Sequence, residues 1–346
     1  MAQEDKPKVR VIVISVVVAL AIGLLGGKFL FGGTSQPTSA TTDGTVAGTK
    51  IDVITKATQS DFWQSMLAGS KQSGKDLGVN LKLTGPTAET DIAPQVALIE
   101  DSISRGVKAI VLAANSSTAL DSVIEKARKA GIKVITVDNA VKAQTDGFIG
   151  TDNIKAGQQA GEKMCELITA KGHANGDIFH EQGSSGQQVL VDRMDGFVSG
   201  LGAKCPKAKI IATQVNNNDV NLAVSQVTDV LNSHPNLAGV FADNNTSGTG
   251  AARAISSRSG SSVQVVSFDS DPAEIAAIKD GSLQATIVQN PFFFGYQGVV
   301  EAAMAVAGSQ PPVRLDPGAV VVDKKNVGAP ELHALLNTAK VMGSCR

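Results

Sequence analysis

The chain has 346 residues, 42% of them hydrophobic and 18% charged, with a formal net charge of −1. That length accommodates two domains of ordinary size, and the composition is that of a globular chain. There is no basic stripe to neutralise phosphates, which excludes nucleic acid as a partner; aromatic residues make up only 4%, so their positions carry information.

Near the N-terminus, Lys6, Lys8 and Arg10 precede an apolar run from Val11 to Gly27, followed by Lys28. A positive flank and an apolar core predict export through the membrane. The run is long for a signal core and short for a spanning helix. Residues 1–32 therefore read as either a cleaved export signal or a retained membrane anchor. No Cys follows the run, so lipid modification is not expected. Either reading puts the bulk of the chain outside the cytoplasm. Residues 33–49, rich in Gly, Ser, Thr and Pro, read as a flexible linker.

From Ile51 onward, strand and helix patterns alternate. Residues 51–55 read as a strand, and the stretch beginning DFWQ as a helix closed by Gly78. A strand follows at VNLKLTG, then a helix closed by Gly106, then the strand AIVLAAN at 109–115. Ser117 is a good N-cap for the next helix, which leads into the strand KVITVDN. FIGTDN at 148–153 is a short strand ending in polar residues, a candidate crossing between two lobes. The same cadence repeats through LQATIVQN and the helix beginning PFFFGYQG, and the stretch after Gln289 and the run GAVVVDKK near Val320 are candidates for the second and third crossings. About ten strand–helix units are too many for one comfortable sheet. The fold class is therefore α/β, as two doubly wound parallel-sheet lobes, with an eight-stranded barrel as the structural competitor.

Four of these apolar runs stop on polar side chains. VITVDNA ends on Asp138, VFADNN on Asp243 and Asn244, VVSFDS on Asp269, and ATIVQNP on Gln289. Short β-branched runs read as buried parallel strands, and ligands gather outside the carboxyl ends of such strands. Carboxylates and amides placed there suit a small polyhydroxyl molecule, because an ionised Asp can accept from two hydroxyls at once. Each residue also has a plainer reading. Asp138, Asp269 and Asn244 could cap helices, Gln289 could be a hinge amide, and Arg193 could pair on the surface with Asp192 or Asp195. Trp63 could wall a pocket or pack in the core, whereas Phe292, Phe293 and Phe294 read as core or hinge packing.

No catalytic constellation accompanies these groups. His173, His180, His234 and His333 are scattered, GSSG at 183–186 lacks a nucleophile elbow, and SGTGAA at 247–252 lacks phosphate-loop spacing. The reading is not an enzyme, with no cofactor and no metal. Three cysteines in an exported chain permit one disulfide. A Cys165–Cys205 bridge and three free thiols both remain open, with Cys345 close to the C-terminus.

The chain from about Ile51 to Val322 resembles the periplasmic sugar-binding proteins of ABC importers, in the type I, ribose-binding-like group. DFWQSMLAGS, SRGVKAIVLAAN, AGIKVITVDN, GTDNIKAGQQAG, DRMDGF, NSHPNLAGVFADNN, VVSFDSDP and LQATIVQNP carry the resemblance, in order and spacing. It implies two lobes, 50–151 plus 290–317 and 152–289 plus 318–346, joined by a three-segment hinge that closes on a sugar or sugar alcohol. The protein would act as a monomer and deliver its ligand to ABC permease subunits, from the periplasm or tethered to the outer face of the cytoplasmic membrane. A sensory module presenting its closed form to a membrane receptor is the alternative. The resemblance places Ser60, Phe62, Trp63, Asp138, Thr151, Arg193, Asn244, Asp269 and Gln289 against the ligand. Three further positions depart from the ribose binder: Lys56 replaces a small hydroxyl residue, Asn139 an Arg, and Asn218 an aromatic. Those departures make the expected pocket more polar.

Overall fold

The computed structural model describes residues 46–336. The export segment, most of the linker and Cys345 lie outside the described residues. The described part of the predicted linker is docked. Val46 packs against the first core, and the Gly48 amide donates to the Gly78 carbonyl at 2.8 Å.

Two sheets organise the chain. The first contains β1 (Lys50–Ile54), β2 (Asn80–Thr84), β3 (Ala109–Leu112), β4 (Lys133–Val137) and β5 (Gly147–Ile149), in the order β2-β1-β3-β4-β5. The second contains β6 (Asp177–Gln182), β7 (Lys209–Val215), β8 (Leu237–Ala242), β9 (Gln264–Phe268), β10 (Ala285–Val288) and β11 (Val320–Asp323), in the order β11-β10-β9-β8-β6-β7. Both are parallel, except that β11 runs antiparallel to β10. The sequence predicts parallel sheets with a crossing near Val320, whereas that run forms an antiparallel edge strand, and the route of the chain explains the exception. β10 leaves its sheet at the carboxyl end, and the chain builds a helix on the other sheet before returning to that same end. A strand entering where its neighbours leave must run against them.

Each sheet reverses its strand order next to its first strand, β1 or β6. Such switch points open a crevice at the carboxyl ends of the strands. Between the strands run α1 (Asp61–Leu77), α2 (Ile92–Ser104), α3 (Asp121–Lys129), α4 (Asn153–Ala170), α5 (Gln188–Lys204), α6 (Val220–Ser233), α7 (Asn245–Ser256), α8 (Pro272–Asp280) and α9 (Pro291–Val306). α3 starts later than the sequence suggests, and Ser117 does not cap it. The Ser116 hydroxyl accepts from the Thr118 and Ala119 amides instead.

Helix contacts tie distant sequence together. α9 packs on α1 and on the first sheet. There a Cβ at Gly69 would overlap the Phe292 carbonyl, and one at Gly295 the Met66 carbonyl. Only glycine permits so close a backbone approach. Phe294 of the FFF triplet is fully buried in this core, while Phe292 stacks on Tyr296. In the second lobe, a Cys165–Cys205 disulfide joins α4 to the end of α5, closing a loop of 40 residues. The chain passes between the sheets after β5, after β10 and before β11. Ile149 and Leu315 pair at the crossing, where the Gly150 amide donates to Leu315 at 3.0 Å.

Candidate functional site

The carboxyl ends of the two sheets meet around a small cavity of about 30 Å³, far below the volume of a typical small-molecule site, so the side chains of its wall nearly fill the space between the sheets. Lys56 follows β1, Asp138 follows β4, Asn244 lies beyond β8, Asp269 follows β9 and Gln289 follows β10, and all line this space. Phe62 and Trp63, in the first turn of α1, and Arg193, on α5, complete the predicted part of the wall.

Asp138 and Asp269 occupy left-handed backbone, with φ of 63° and 79°. That conformation costs a residue with a Cβ about 1–3 kcal/mol, and such strain clusters at functional sites. Neither residue caps a helix; the cap before α8 is Asp271. The Lys56 ammonium lies 2.6 Å from Asp138 and donates to the Gln187 carbonyl oxygen at 2.6 Å. Both ions of the pair are buried, so each is costly without the other. Asp269 accepts from the Gln289 amide at 2.8 Å. Burial pushes the Asp269 carboxyl above its ordinary range, assisted by Asp138 and Glu89 and opposed by Arg193 and the Gln289 bond.

Arg193 makes no surface ion pair. It is 3% exposed, donates Nε to Asn153 at 2.9 Å and Nη1 to the Asp243 carbonyl at 2.8 Å, and lies 4.2 Å over the Phe268 ring. These partners fix a planar fork in the second lobe where it lines the cavity. Trp63 is 2% exposed and its indole N–H donates to Glu89 at 2.7 Å. Phe62 stands edge-on to it, with centroids 4.8 Å apart. Asn244 does two things at once. Its carbonyl accepts from the Ser247 amide at 2.9 Å as the cap of α7, and its amide donates to Asn218 at 2.6 Å.

The other predicted contacts stand behind the wall. The Ser60 hydroxyl caps α1 through the Trp63 amide. Thr151 is buried at the first crossing, where its hydroxyl has no protein partner. Asn218 is held between Asn244 and Glu89, with its amide 3.5 Å from the latter. Asn139 donates to the Ala114 carbonyl at 3.0 Å and accepts from the Val189 amide at 3.3 Å. Asp243 likewise serves the framework, accepting from the Gly183 amide at 2.8 Å and facing His180.

Sequence reasoning missed Glu89, Gln187, Val189, Leu190 and Asn245, which also line the cavity. Glu89 lies in the loop after β2 and Gln187 in the loop after β6, so the strand-end rule itself could have named them. Neither directly ends an apolar run, which is why both escaped notice. Among the described residues no cluster of His, Cys, Asp and Glu could hold a metal ion, and no helix is long and apolar enough to cross a membrane.

Residues 51–310 match the family model described as periplasmic binding protein domain. The D-ribose/D-allose-binding protein of Pseudomonas aeruginosa is 30% identical over 307 residues, covering 85% of this chain and 93% of that protein. The ribose import binding protein of Escherichia coli is 29% identical over 261 residues, 75% of this chain and 86% of that protein. A carbohydrate transporter solute-binding protein from Agrobacterium radiobacter, solved with D-arabinose, superposes with a TM-score of 0.81 at 31% identity, covering 84% of this chain and 99% of its own. The chain thus belongs to the periplasmic binding protein family, with the two-lobed type I fold of its ribose-binding-like group.

Proposed function

We propose that this protein captures a monosaccharide or sugar alcohol between its lobes and delivers it, chemically unchanged, to an ABC permease. The observation that carries the reading is the convergence of carboxylates, amides, a guanidinium and two aromatic rings on one enclosed space at the strand ends of both sheets. Asp138 and Asp269 would accept from ring hydroxyls, and Arg193 would donate from the second lobe only once the cleft is closed. Phe62 and Trp63 would cover the apolar C–H face of the ring and leave its hydroxyls free. A ligand lacking one hydroxyl would leave a buried carboxylate unpaired and be rejected sharply. Because the second-lobe contacts exist only in the closed form, binding shifts the population toward closure, and the closed form is what a permease would read. The protein would do this as a monomer, exported to the periplasm or held at the outer face of the cytoplasmic membrane.

The chain has one tryptophan, so its fluorescence reports the wall directly. Titrating D-ribose, D-allose, D-arabinose, D-fucose and inositols should change the Trp63 emission with at least one of them, saturably. An unchanged spectrum across the panel would remove the ligand class.

A further inference from the structure

The first turn of α5 carries amides that its own segment does not cap, for the Gln187 side chain makes no bond to that turn. The opposite lobe supplies the acceptors. The Gln188 amide donates to the Ser117 hydroxyl at 3.0 Å, and the Val189 amide to the Asn139 carbonyl oxygen at 3.3 Å. Beside them the Ser117 amide donates to the Gly186 carbonyl at 3.2 Å. Ser117 and Asn139 also face each other, the Asn139 amide donating to the hydroxyl at 3.3 Å. Neither side chain lines the cavity. A helix N-terminus normally takes such a cap from its own preceding residue. Here the cap exists only when the two lobes meet.

We propose that Ser117 and Asn139 are closure-positioning residues that cap α5 in trans and set how readily the cleft shuts, whatever the guest. This rests on the reading of the cavity as a closing sugar site, but acts outside that cavity. Since the bonds belong to the closed state and touch no ligand, they multiply every ligand's affinity by a common factor. Losing one cap is worth about 5-fold, and losing both about 25-fold, from the usual strength of N-caps. Residues of the cavity wall should instead change the rank order among sugars. The outward path of the guest should feel the caps most, because opening breaks them.

Two measurements on the full chain in mild detergent decide this. In the first, spin labels on non-cysteine handles at the exposed positions Glu125 and Asp229 report the distance between lobes without sugar. The wild type should show a short-distance population that shrinks in Ser117→Ala with Asn139→Ala and persists in Ser117→Thr, which keeps the hydroxyl. Identical distance distributions in wild type and the double variant would overturn the proposal, even if no sugar ever binds. The second measures affinity and dissociation rate for each sugar that changes the Trp63 signal. A loss common to all sugars, with faster release, supports trans-capping, whereas sugar-dependent losses would make Asn139 an ordinary ligand contact. Absence of any sugar binding would sink the proposed function alone, leaving the distance measurement to judge the caps.

Discussion

Asp269 shows how a single residue is held against its own preferences. Its backbone is left-handed and its carboxyl is buried and pushed upward, so the fold spends stability to keep a carboxylate at that point. Asp269→Gly should therefore be more stable than Asp269→Ala by about 1–2 kcal/mol, because only glycine escapes the clash. Both should lose about 1–3 kcal/mol of sugar binding, as judged by chemical denaturation and titration in parallel. Asp138 differs because Lys56 leans on it. Asp138→Ala strands a buried ammonium and should cost about 3–5 kcal/mol of stability, whereas removing both ions together should cost far less. Equal losses in the single and double variants would contradict the pairing. The strand-end rule made these two carboxylates visible in the sequence, since each directly follows an apolar run. It did not reveal that Asn139, the next residue, turns away from the cavity to meet the other lobe. That depends on which loop of a distant segment lies opposite, and neighbouring residues contain no sign of it.

Elements are where the sequence was most legible. Apolar periodicity located the strands and helices well because the inner strands are buried on both faces and read as continuous runs, whereas the edge strands β2, β7 and β11 are largely half-buried. Ser117 was misjudged because a capping residue and a cross-lobe acceptor look alike in sequence. The antiparallel course of β11 was hidden because strand direction is set by the path of the chain through the hinge rather than by composition. The disulfide was left open by the cysteine count, and its place is informative, since it ties α4 to α5 wholly within the second lobe. Closing a loop of 40 residues restricts the unfolded chain by about 4 kcal/mol on the loop-entropy account. Reduction, or Cys165→Ala with Cys205→Ala, should lower the unfolding free energy by about 2–4 kcal/mol while leaving sugar affinity intact. A fall in affinity without a fall in stability would show that the bridge serves the site instead. On the first lobe, Gly295→Ala should cost at least about 1–3 kcal/mol, since its Cβ would press on backbone that cannot turn aside.

At the scale of the whole molecule, buried carboxyls outside the cavity, Glu181, Asp271, Glu274 and Glu301, are all pushed upward by burial and give stability a distinct pH dependence. Burial pushes Glu181 up to about 8 and Glu301 up to about 7. In the unfolded chain both would ionise near 4.3. Between these limits the native state holds protons that the unfolded state has released. Their contribution is complete below about pH 4.3 and is lost as pH rises through about 7 to 8. The melting temperature should therefore fall from about pH 5 to about pH 8, and Glu181→Gln with Glu301→Gln should make that fall shallower, with Asp271 and Glu274 supplying the slope that is left. A melting temperature that rises over that range would refute the assignment. The larger claim is that two hinged lobes converge on one guest. Calorimetric titration of the full chain with D-ribose, D-allose, D-arabinose and D-fucose, repeated on Asp138→Ala, tests it most directly. The account expects one-to-one saturable heat with at least one sugar in the wild type, and binding weakened at least about 5-fold in the variant. No heat with any sugar, or the same isotherm in both proteins, would contradict it.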